Sequence, residues 1–238
     1  MTAPECLGLN ELGIKVDRLW RTEVPFPMWL IHLPDRVSPS LVQLLSEEEW
    51  ERAQGFRTHM LRSRYIAAHA GLRLLIEFQF GLPASRQQFV RNAFGRPYLV
   101  ERRDVRSSIS YSGAYAIIGL SGEREIGVDL ETVRPIEDVL ELAEIHCTPS
   151  ERLALRRALK MGRSFSNGFL RAWVRKEACV KALERGLSIP LESIHCGIGS
   201  KTTTVKFGES KISTGVVHVR DHTIVLSPSD LVIGWAQI

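Results

Sequence analysis

The sequence predicts an α+β fold in which each half of the chain supplies strands that flank helices. Short apolar runs bounded by turn residues predict the strands. A longer segment with apolar residues at helical spacing, over residues 61–80, predicts the most extended helix of the first half. Glycine and proline mark the ends of most of these segments, and the sequence shows no internal repeat.

The first half reads as strands around two helices. Residues 1 to about 22 are expected to be an irregular lead-in. Ser46-Glu47-Glu48-Glu49 predicts a capping box, which opens a short helix toward residue 56. Gly81 and Pro83 close the longer helix. The strands of this half are predicted at residues 28–33, 89–91, 108–112 and 115–120, the last two turning at Gly113.

The second half begins with a turn signal. Ser121-Gly122-Glu123-Arg124 predicts a hairpin turn that leads into an apolar strand carrying Asp129. Pro149 stands in the first turn of a predicted helix, where its missing N–H group costs nothing. Helices are predicted at about residues 136–146, 149–159 and 165–184. Strand-like segments follow at residues 193–198, 202–207, 215–219, 223–226 and 231–236.

The composition is that of an ordinary globular protein. Hydrophobic residues make up 44% of the chain and charged residues 24%, which argues against disorder. No apolar run approaches the roughly 18 to 20 residues of a membrane span, and the N-terminus lacks the basic and apolar regions of a signal peptide. The four cysteines show no spacing typical of zinc or redox sites, so reduced thiols in a cytoplasmic protein are expected.

The net charge is mildly positive, with 31 basic against 27 acidic residues and a formal charge of +4. The arginines are scattered, and no nucleic-acid recognition motif accompanies them, so a nucleic-acid partner is not expected. The excess of positive charge favours an anionic ligand or an acidic partner protein. A basic surface without a specific partner accounts for this charge about equally well.

Two short charged groups are the strongest chemical signal. Asp129 and Glu131 lie two residues apart in a strand-like run, so alternation places both carboxylates on one face, roughly 6 to 7 Å apart. Glu177 and Lys181 lie one helical turn apart. Three carboxylates and a lysine on rigid elements suit a Mg²⁺ site for a phosphorylated substrate. Taken alone, an acidic pair on a strand is more often a solvated surface feature.

Four motifs in a fixed order carry a resemblance to a known family. They are Asn92-Ala93-Phe94-Gly95-Arg96-Pro97-Tyr98-Leu99, Ser108-Ile109-Ser110-Tyr111-Ser112-Gly113, Gly127-Val128-Asp129-Leu130-Glu131, and Trp173-Val174-Arg175-Lys176-Glu177-Ala178 with Lys181 and Gly186-Leu187-Ser188. From about Trp29 to about Ser193, the chain resembles the 4′-phosphopantetheinyl transferase superfamily, in its branch of single-chain enzymes that activate synthetases and synthases. The last two motifs are the most specific.

The resemblance implies two similar α+β lobes, each a small antiparallel sheet with helices, related by a pseudo-two-fold axis. Residues 1–122 would form the N-terminal lobe, on the nucleotide side of coenzyme A. Residues 123–238 would form the C-terminal lobe, with the metal-binding and catalytic residues. The active site would lie in the cleft between the lobes. Because both lobes lie in one chain, a monomer is expected.

The resemblance also implies roles for residues of the second lobe. Asp129, Glu131 and Glu177 would bind Mg²⁺, and Lys181 would hold the diphosphate or neutralise the leaving phosphate. An ordinary ion pair with Glu177 is the alternative for Lys181. Glu151 matches a family glutamate proposed as the general base for the acceptor serine. An acid in the first turn of a helix also suits capping, and this alternative stays open.

For the donor, the resemblance implies contacts to coenzyme A from Arg64, Arg96, Pro97, Ser110, Tyr111 and Lys181. Arg64 would contact the 3′-phosphate region, and Arg96, held between Gly95 and Pro97, would meet the nucleotide end. Solvent-exposed charge is the alternative for Arg64. The family usually has histidine where this chain has Tyr111, and tyrosine offers a neutral hydroxyl donor without a positive charge.

The resemblance therefore implies transfer of 4′-phosphopantetheine from coenzyme A to a serine hydroxyl of an acyl, peptidyl or aryl carrier protein. The transfer would depend on Mg²⁺ and release adenosine 3′,5′-bisphosphate, without a membrane partner. The alternative is a non-catalytic paralogue that binds carrier domains or nucleotides. Tyr111 favours this alternative, whereas the complete set of acids and Lys181 oppose it.

Overall fold

The computed structural model describes residues 9, 12–19, 24–184, 189–198, 202–207, 215–226 and 230–238. The predicted motif residues 186–188 and the cysteine at position 6 lie outside these residues. The chain divides into two compact units, Met1–Asn92 with Pro97–Gly122, and Ala93–Arg96 with Glu123–Ile238. Each unit contains one four-stranded antiparallel sheet and several helices, which confirms the predicted α+β class with small antiparallel sheets. The pseudo-two-fold relation stays a prediction.

The helices of the first unit are α1 (Pro39–Val42), α2 (Glu47–Gln54) and α3 (His59–Phe80), followed by a 3₁₀ turn at Ala84–Arg86. The strands are β1 (Lys15–Arg18), β2 (Met28–His32), β3 (Phe89–Arg91), β4 (Pro97–Leu99), β5 (Arg106–Ser112) and β6 (Tyr115–Ser121). The main sheet has the strand order β1-β2-β6-β5, and a two-stranded ribbon pairs β3 with β4.

Local sequence signals set the ends of the helices in this unit. Ser46 and Glu49 form the predicted capping box at the start of α2. Thr58 caps α3, and Gly81 ends it with a left-handed φ of 70°. Helix α3 packs closely on the sheet, because a Cβ atom at Gly71 would lie 2.6 Å from Ile31 Cδ1 on β2. Buried apolar residues of α3 and β2 belong to one cluster, which is the core of the first unit.

The strands of the second unit are β7 (Ile126–Thr132), β8 (Thr203–Phe207), β9 (Gly215–Ile224) and β10 (Leu231–Gln237). Its sheet has the strand order β7-β10-β9-β8, with every neighbouring pair antiparallel. The helices are α4 (Val139–His146), α5 (Pro149–Lys160) and α6 (Phe165–Ala182), followed by a 3₁₀ turn at Leu191–Ser193. None of the helices in the described part of the chain combines the length and apolarity that crossing a membrane requires.

Helix α6 packs against β7, β10 and β9, and it approaches β7 and β10 at unusually short range. A Cβ atom at Gly127 on β7 would lie 1.9 Å from the Ala178 carbonyl oxygen, and one at Gly234 on β10 would lie 2.4 Å from the Val174 carbonyl oxygen. Real Cβ atoms cannot approach backbone so closely, so both positions require glycine. These two glycines let the helix lie directly on the sheet.

Several predicted elements differ from the structure. The predicted hairpin turn at residues 121–124 is wrong, since β6 pairs with β2 and β5 while β7 pairs with β10 in the other sheet. Both edges of β6 are already occupied, so the Ser-Gly turn signal joins two sheets instead. Residues 193–198 are not a strand, residues 215–224 form one strand instead of two, and the expected irregular lead-in contains β1.

Candidate functional site

Strand β7 presents its two predicted ligands toward helix α6. Gly127, Asp129 and Glu131 alternate along β7 and therefore share one face. Gly127 lies against Ala178 on α6, which identifies that face as the one the helix covers. Asp129 pairs across the sheet with Gly234, which also lies directly beneath α6. The strand period and the two close contacts thus bring both carboxylates to the helix, as the alternation predicts.

Helix α6 meets this face with Glu177 and Lys181. Lys181 Nζ donates to Asp129 Oδ1 at 2.7 Å and to the Val128 carbonyl oxygen at 3.1 Å. The Lys181 side chain is 30% exposed and the Asp129 side chain 7%. The ammonium group is therefore fixed on β7 by a short, partly exposed ion pair, in addition to its attraction to Glu177 on its own helix.

The three carboxylates lie close enough to influence one another. Burial raises the pKa of Glu177, and the negative charges of Asp129 and Glu131 raise it further, while the positive charge of Lys181 acts in the opposite direction. Burial is the largest of these causes, and the net direction of the pKa is upward. An additional cation at this face would relieve that repulsion.

The donor chemistry at this face fits Mg²⁺, which prefers carboxylate oxygens. In the structure, however, Asp129 is paired with Lys181, and Glu131 accepts from Arg134 Nη1 at 2.9 Å. Within the described residues, no three or more His, Cys, Asp and Glu side chains are gathered around a single metal position. The acids are thus of the right type and share a common face, and their role as ligands stays a prediction.

Glu151 is held in the interior of the second unit. It is 1% exposed and completes a capping box with Thr148 at the start of α5. Its Oε1 accepts from the backbone N–H groups of Cys196 at 2.8 Å and Gly197 at 2.9 Å, and Lys176 Nζ lies 2.8 Å from Oε2. Burial raises its pKa, but the charge and hydrogen bond of Lys176 and the backbone donors outweigh burial and lower it. These contacts favour capping, and catalysis by Glu151 stays a prediction.

The sequence did not predict the buried ionic network around Glu151. Lys176 and Arg175 are both fully buried. Lys176 donates to the carbonyl oxygens of Leu191 and Ile194, and Arg175 donates to Asp221 and the Cys196 carbonyl oxygen. One sequence signal for it is the spacing of Lys176, four residues from Ala172 and four from Val180, which places it on a buried side of α6. The network holds the backbone of residues 191–197, which explains why this segment is not a strand.

Arg96 belongs to the second unit together with residues 93–95. Its Nη1 donates to the Lys181 carbonyl oxygen at 2.8 Å, and its Nη2 donates to the Ile126 carbonyl oxygen at 3.2 Å. The carboxylates of Glu125 and Glu184 lie 3.3 and 3.2 Å from Nη1. The structure therefore places Arg96 against the helix that carries Lys181.

The other predicted donor-binding residues lie in the first unit. Arg64 Nη1 donates to the Gly113 carbonyl oxygen at 2.9 Å, and Arg64 Nη2 to Asp35 Oδ1 at 2.8 Å. Tyr111 on β5 is 45% exposed, and Ser110 precedes it on the same strand. Pro97 and Ile109, the neighbour of Ser110, line a pocket that also contains Glu49 and His69.

Comparison with known proteins identifies the family. A sequence model described as the 4′-phosphopantetheinyl transferase superfamily matches residues 125–233, which include the acids of β7 and the charged residues of α6. A Synechocystis sp. protein, provisionally named a 4′-phosphopantetheinyl transferase, is 33% identical over 169 residues, covering 70% of this chain and 68% of its own length.

Two further relatives are similar over comparable lengths. The 4′-phosphopantetheinyl transferase HetI of Nostoc sp. is 28% identical over 213 residues, which cover 87% of this chain and 88% of HetI. The 4′-phosphopantetheinyl transferase Sfp of Bacillus subtilis is 28% identical over 152 residues, which cover 64% of this chain and 66% of Sfp. The matched motifs and these relatives agree: the chain belongs to the 4′-phosphopantetheinyl transferase superfamily.

Proposed function

We propose that the protein transfers 4′-phosphopantetheine from coenzyme A to a serine hydroxyl of an apo carrier protein of the acyl, peptidyl or aryl type. The observation that carries this proposal is the ion pair of Lys181 with Asp129 beside Glu177, on two rigid elements within the segment that the family model matches. The named relatives are 4′-phosphopantetheinyl transferases, which supports the reaction class.

In the proposed reaction, the serine oxygen forms a bond to the β-phosphorus of coenzyme A, and its hydroxyl proton passes to a base, either Glu151 or a water molecule. The bond from that phosphorus to the oxygen bridging the two phosphates breaks, and adenosine 3′,5′-bisphosphate leaves with the bridging oxygen. The Lys181 ammonium, held by Asp129, would lie beside the diphosphate and stabilise the negative charge that develops on the leaving phosphate. Its fixed position removes the cost of orienting it during the reaction.

Asp129, Glu131 and Glu177 would hold Mg²⁺ at the face between β7 and α6. When bound, the ion would offset the charge of the diphosphate and polarise the phosphorus under attack. The neighbouring acids that raise the pKa of Glu177 provide the excess negative charge that favours a divalent cation. Arg134, now paired with Glu131, would have to share or release that carboxylate.

For the nucleotide end of coenzyme A, we propose contacts from Arg64, Pro97, Ser110 and Tyr111. Arg64 is ion-paired with Asp35, so a phosphate would have to share its guanidinium with that carboxylate. Tyr111 would donate a neutral hydroxyl hydrogen bond in place of the charge that histidine supplies in the family. The monomeric state and the cytoplasmic location stay predictions.

Mass spectrometry of a panel of apo carrier proteins, incubated with coenzyme A and Mg²⁺, tests this proposal. We expect at least one carrier to gain the mass of a single phosphopantetheine group on its acceptor serine. The matched control is the same carrier with that serine replaced by alanine. Binding of a carrier or of coenzyme A without any mass gain across the panel would support the non-catalytic alternative.

A further inference from the structure

Arg96 joins the end of helix α6 to the start of strand β7. Its guanidinium donates to the carbonyl oxygens of Lys181 and Ile126, at 2.8 and 3.2 Å. The side chain is 13% exposed, and the carboxylates of Glu125 and Glu184 lie beside it. Its planar fork of donors is thus engaged by groups of its own compact unit.

The two carbonyl oxygens lie where regular structure leaves acceptors to satisfy. Lys181 is in the last turn of α6, which ends at Ala182, and its carbonyl oxygen accepts a long hydrogen bond from the Glu184 N–H at 3.3 Å besides that from Arg96. A cation at this end also meets the negative pole of the helix dipole. Ile126 is the first residue of β7, an edge strand of its sheet. Arg96 therefore caps the helix and ties it to the strand edge.

This tie lies at the closest approach of the helix to the strand. Gly127, the residue after Ile126, would place a Cβ atom 2.7 Å from the Ala182 backbone nitrogen. Lys181, whose carbonyl oxygen Arg96 holds, extends its side chain to Asp129 on the same strand. The backbone that Arg96 fixes is therefore the backbone that sets where the Lys181 ammonium lies.

We propose that Arg96 is a positioning residue, which clamps the end of α6 on β7 and thereby holds the Lys181 ammonium on Asp129. This inference rests on the proposed function, because it specifies how the transfer site is kept in place. A direct contact between Arg96 and a coenzyme A phosphate is disfavoured by Glu125 and Glu184, whose charges would repel the phosphate. It would also require Arg96 to release two carbonyl oxygens.

Steady-state kinetics of Arg96→Ala separate positioning from phosphate binding. With coenzyme A and with 3′-dephospho-coenzyme A, at saturating Mg²⁺ and carrier, we expect kcat to fall about tenfold or more for both donors. The ratio of the two KM values should not change. If instead the KM for coenzyme A alone rises about tenfold, or if the kinetics equal those of the wild type, the positioning role is wrong.

Arg152→Ala is the matched control. Arg152 makes the same kinds of contact, with its Nη1 2.9 Å from the Glu144 carbonyl oxygen and 2.7 Å from Glu144 Oε2, but it joins α5 to α4. We expect wild-type kinetics from this variant. A loss equal to that of Arg96→Ala would mean that any such arginine clamp affects transfer, which would overturn a specific role for Arg96.

Hydrogen exchange gives a readout that does not depend on activity. In Arg96→Ala, amides of residues 178–184 and 126–130 should exchange about fivefold faster or more, while those of α5 should not change. Arg96→Lys should restore protection in part, because an ammonium reaches one carbonyl oxygen but lacks the fork. If the wild type transfers no phosphopantetheine, the proposed function is wrong, but hydrogen exchange still tests the contact of Arg96 with α6 and β7. Unchanged exchange in both segments of Arg96→Ala would show that Arg96 does not hold them together.

Discussion

Helix α6 carries two groups of charged residues, which lie in different environments. On the interior face, Arg175 and Lys176 are fully buried, and each meets a carboxylate and backbone carbonyl oxygens. On the face toward β7, Glu177 and Lys181 meet further carboxylates at a partly exposed position. The interior charges are compensated, whereas on the face toward β7 the described residues place three carboxylates beside Lys181 and Arg134.

The pKa directions of the two glutamates express this difference. Burial alone raises the pKa of both Glu151 and Glu177. For Glu151, the charge of Lys176 and several hydrogen bonds reverse the effect, and the pKa is lowered. For Glu177, neighbouring acids add to burial, and the pKa is raised. Glu151 is thus part of the internal packing of the second unit, whereas Glu177, a carboxylate with a raised pKa among other acids, is a candidate for a binding site.

The largest expected effect comes from removing a cation of the interior face. Lys176→Met would leave Glu151 buried without its partner, and we expect the free energy of unfolding to fall by about 3 to 5 kcal/mol. Lys181→Met, on the partly exposed face, should cost about 1 to 2 kcal/mol. Urea denaturation of both variants measures the difference. Equal losses would contradict the distinction between the two faces.

A smaller effect is expected from filling the space between α6 and β7. Gly127→Ala would place a Cβ atom 1.9 Å from the Ala178 carbonyl oxygen, so the helix must shift. We expect a loss of about 1 to 3 kcal/mol in stability, together with slower transfer. The control is Gly122→Ala, whose Cβ atom would lie 3.6 Å from Phe80 Cε1, an ordinary contact. If Gly127→Ala is as stable and active as this control, the close approach does not set the site.

The sequence predicts the partly exposed face better than the interior one, for a physical reason. Strand alternation is enough to place Asp129 and Glu131 on one face, and helical spacing is enough to place Lys181 near Glu177. Packing of α6 on β7 is then enough to bring Lys181 into contact with Asp129. Local periodicity therefore contains most of the information about this face, and the four charged positions are recognisable from the motifs.

The remaining features depend on contacts between distant segments. The partners of Glu151 at Cys196 and Gly197 lie 45 and 46 residues away, and Arg96 lies 85 residues from Lys181. No local pattern specifies such pairs. The same limit explains the wrong hairpin at residues 121–124, because a turn signal indicates where the chain bends but not which strand it then joins.

The smallest expected effect concerns the pH dependence of stability. Because the folded-state pKa of Glu151 is lowered, its stabilising contribution is present above the ordinary glutamate pKa and is lost as the pH falls through the folded value. The stability difference between wild type and Glu151→Gln should therefore narrow below about pH 4. Denaturation at a series of pH values measures this.

Transfer kinetics of the same variant address the alternative role of Glu151. If Glu151 only caps α5, Glu151→Gln should retain transfer at every pH at which the variant is folded. The pH profile of its kcat should equal that of the wild type. If the variant is stably folded but transfers about a hundredfold more slowly or worse at every pH, Glu151 acts as the general base, and its assignment to the compensated interior is wrong.

The measurement that tests the central claim most directly is transfer to an apo carrier protein by Glu177→Gln, followed by intact-protein mass spectrometry over a series of Mg²⁺ concentrations. The control is Glu141→Gln, which changes an exposed acid in the first turn of α4. We expect the urea midpoint of unfolding of Glu177→Gln to be equal to or higher than that of the wild type. Its rate of phosphopantetheine transfer should nevertheless be about a hundredfold lower, while the control should have the rate of the wild type. A near-normal rate for Glu177→Gln at limiting Mg²⁺ would contradict the assignment of the face between β7 and α6 as the transfer site.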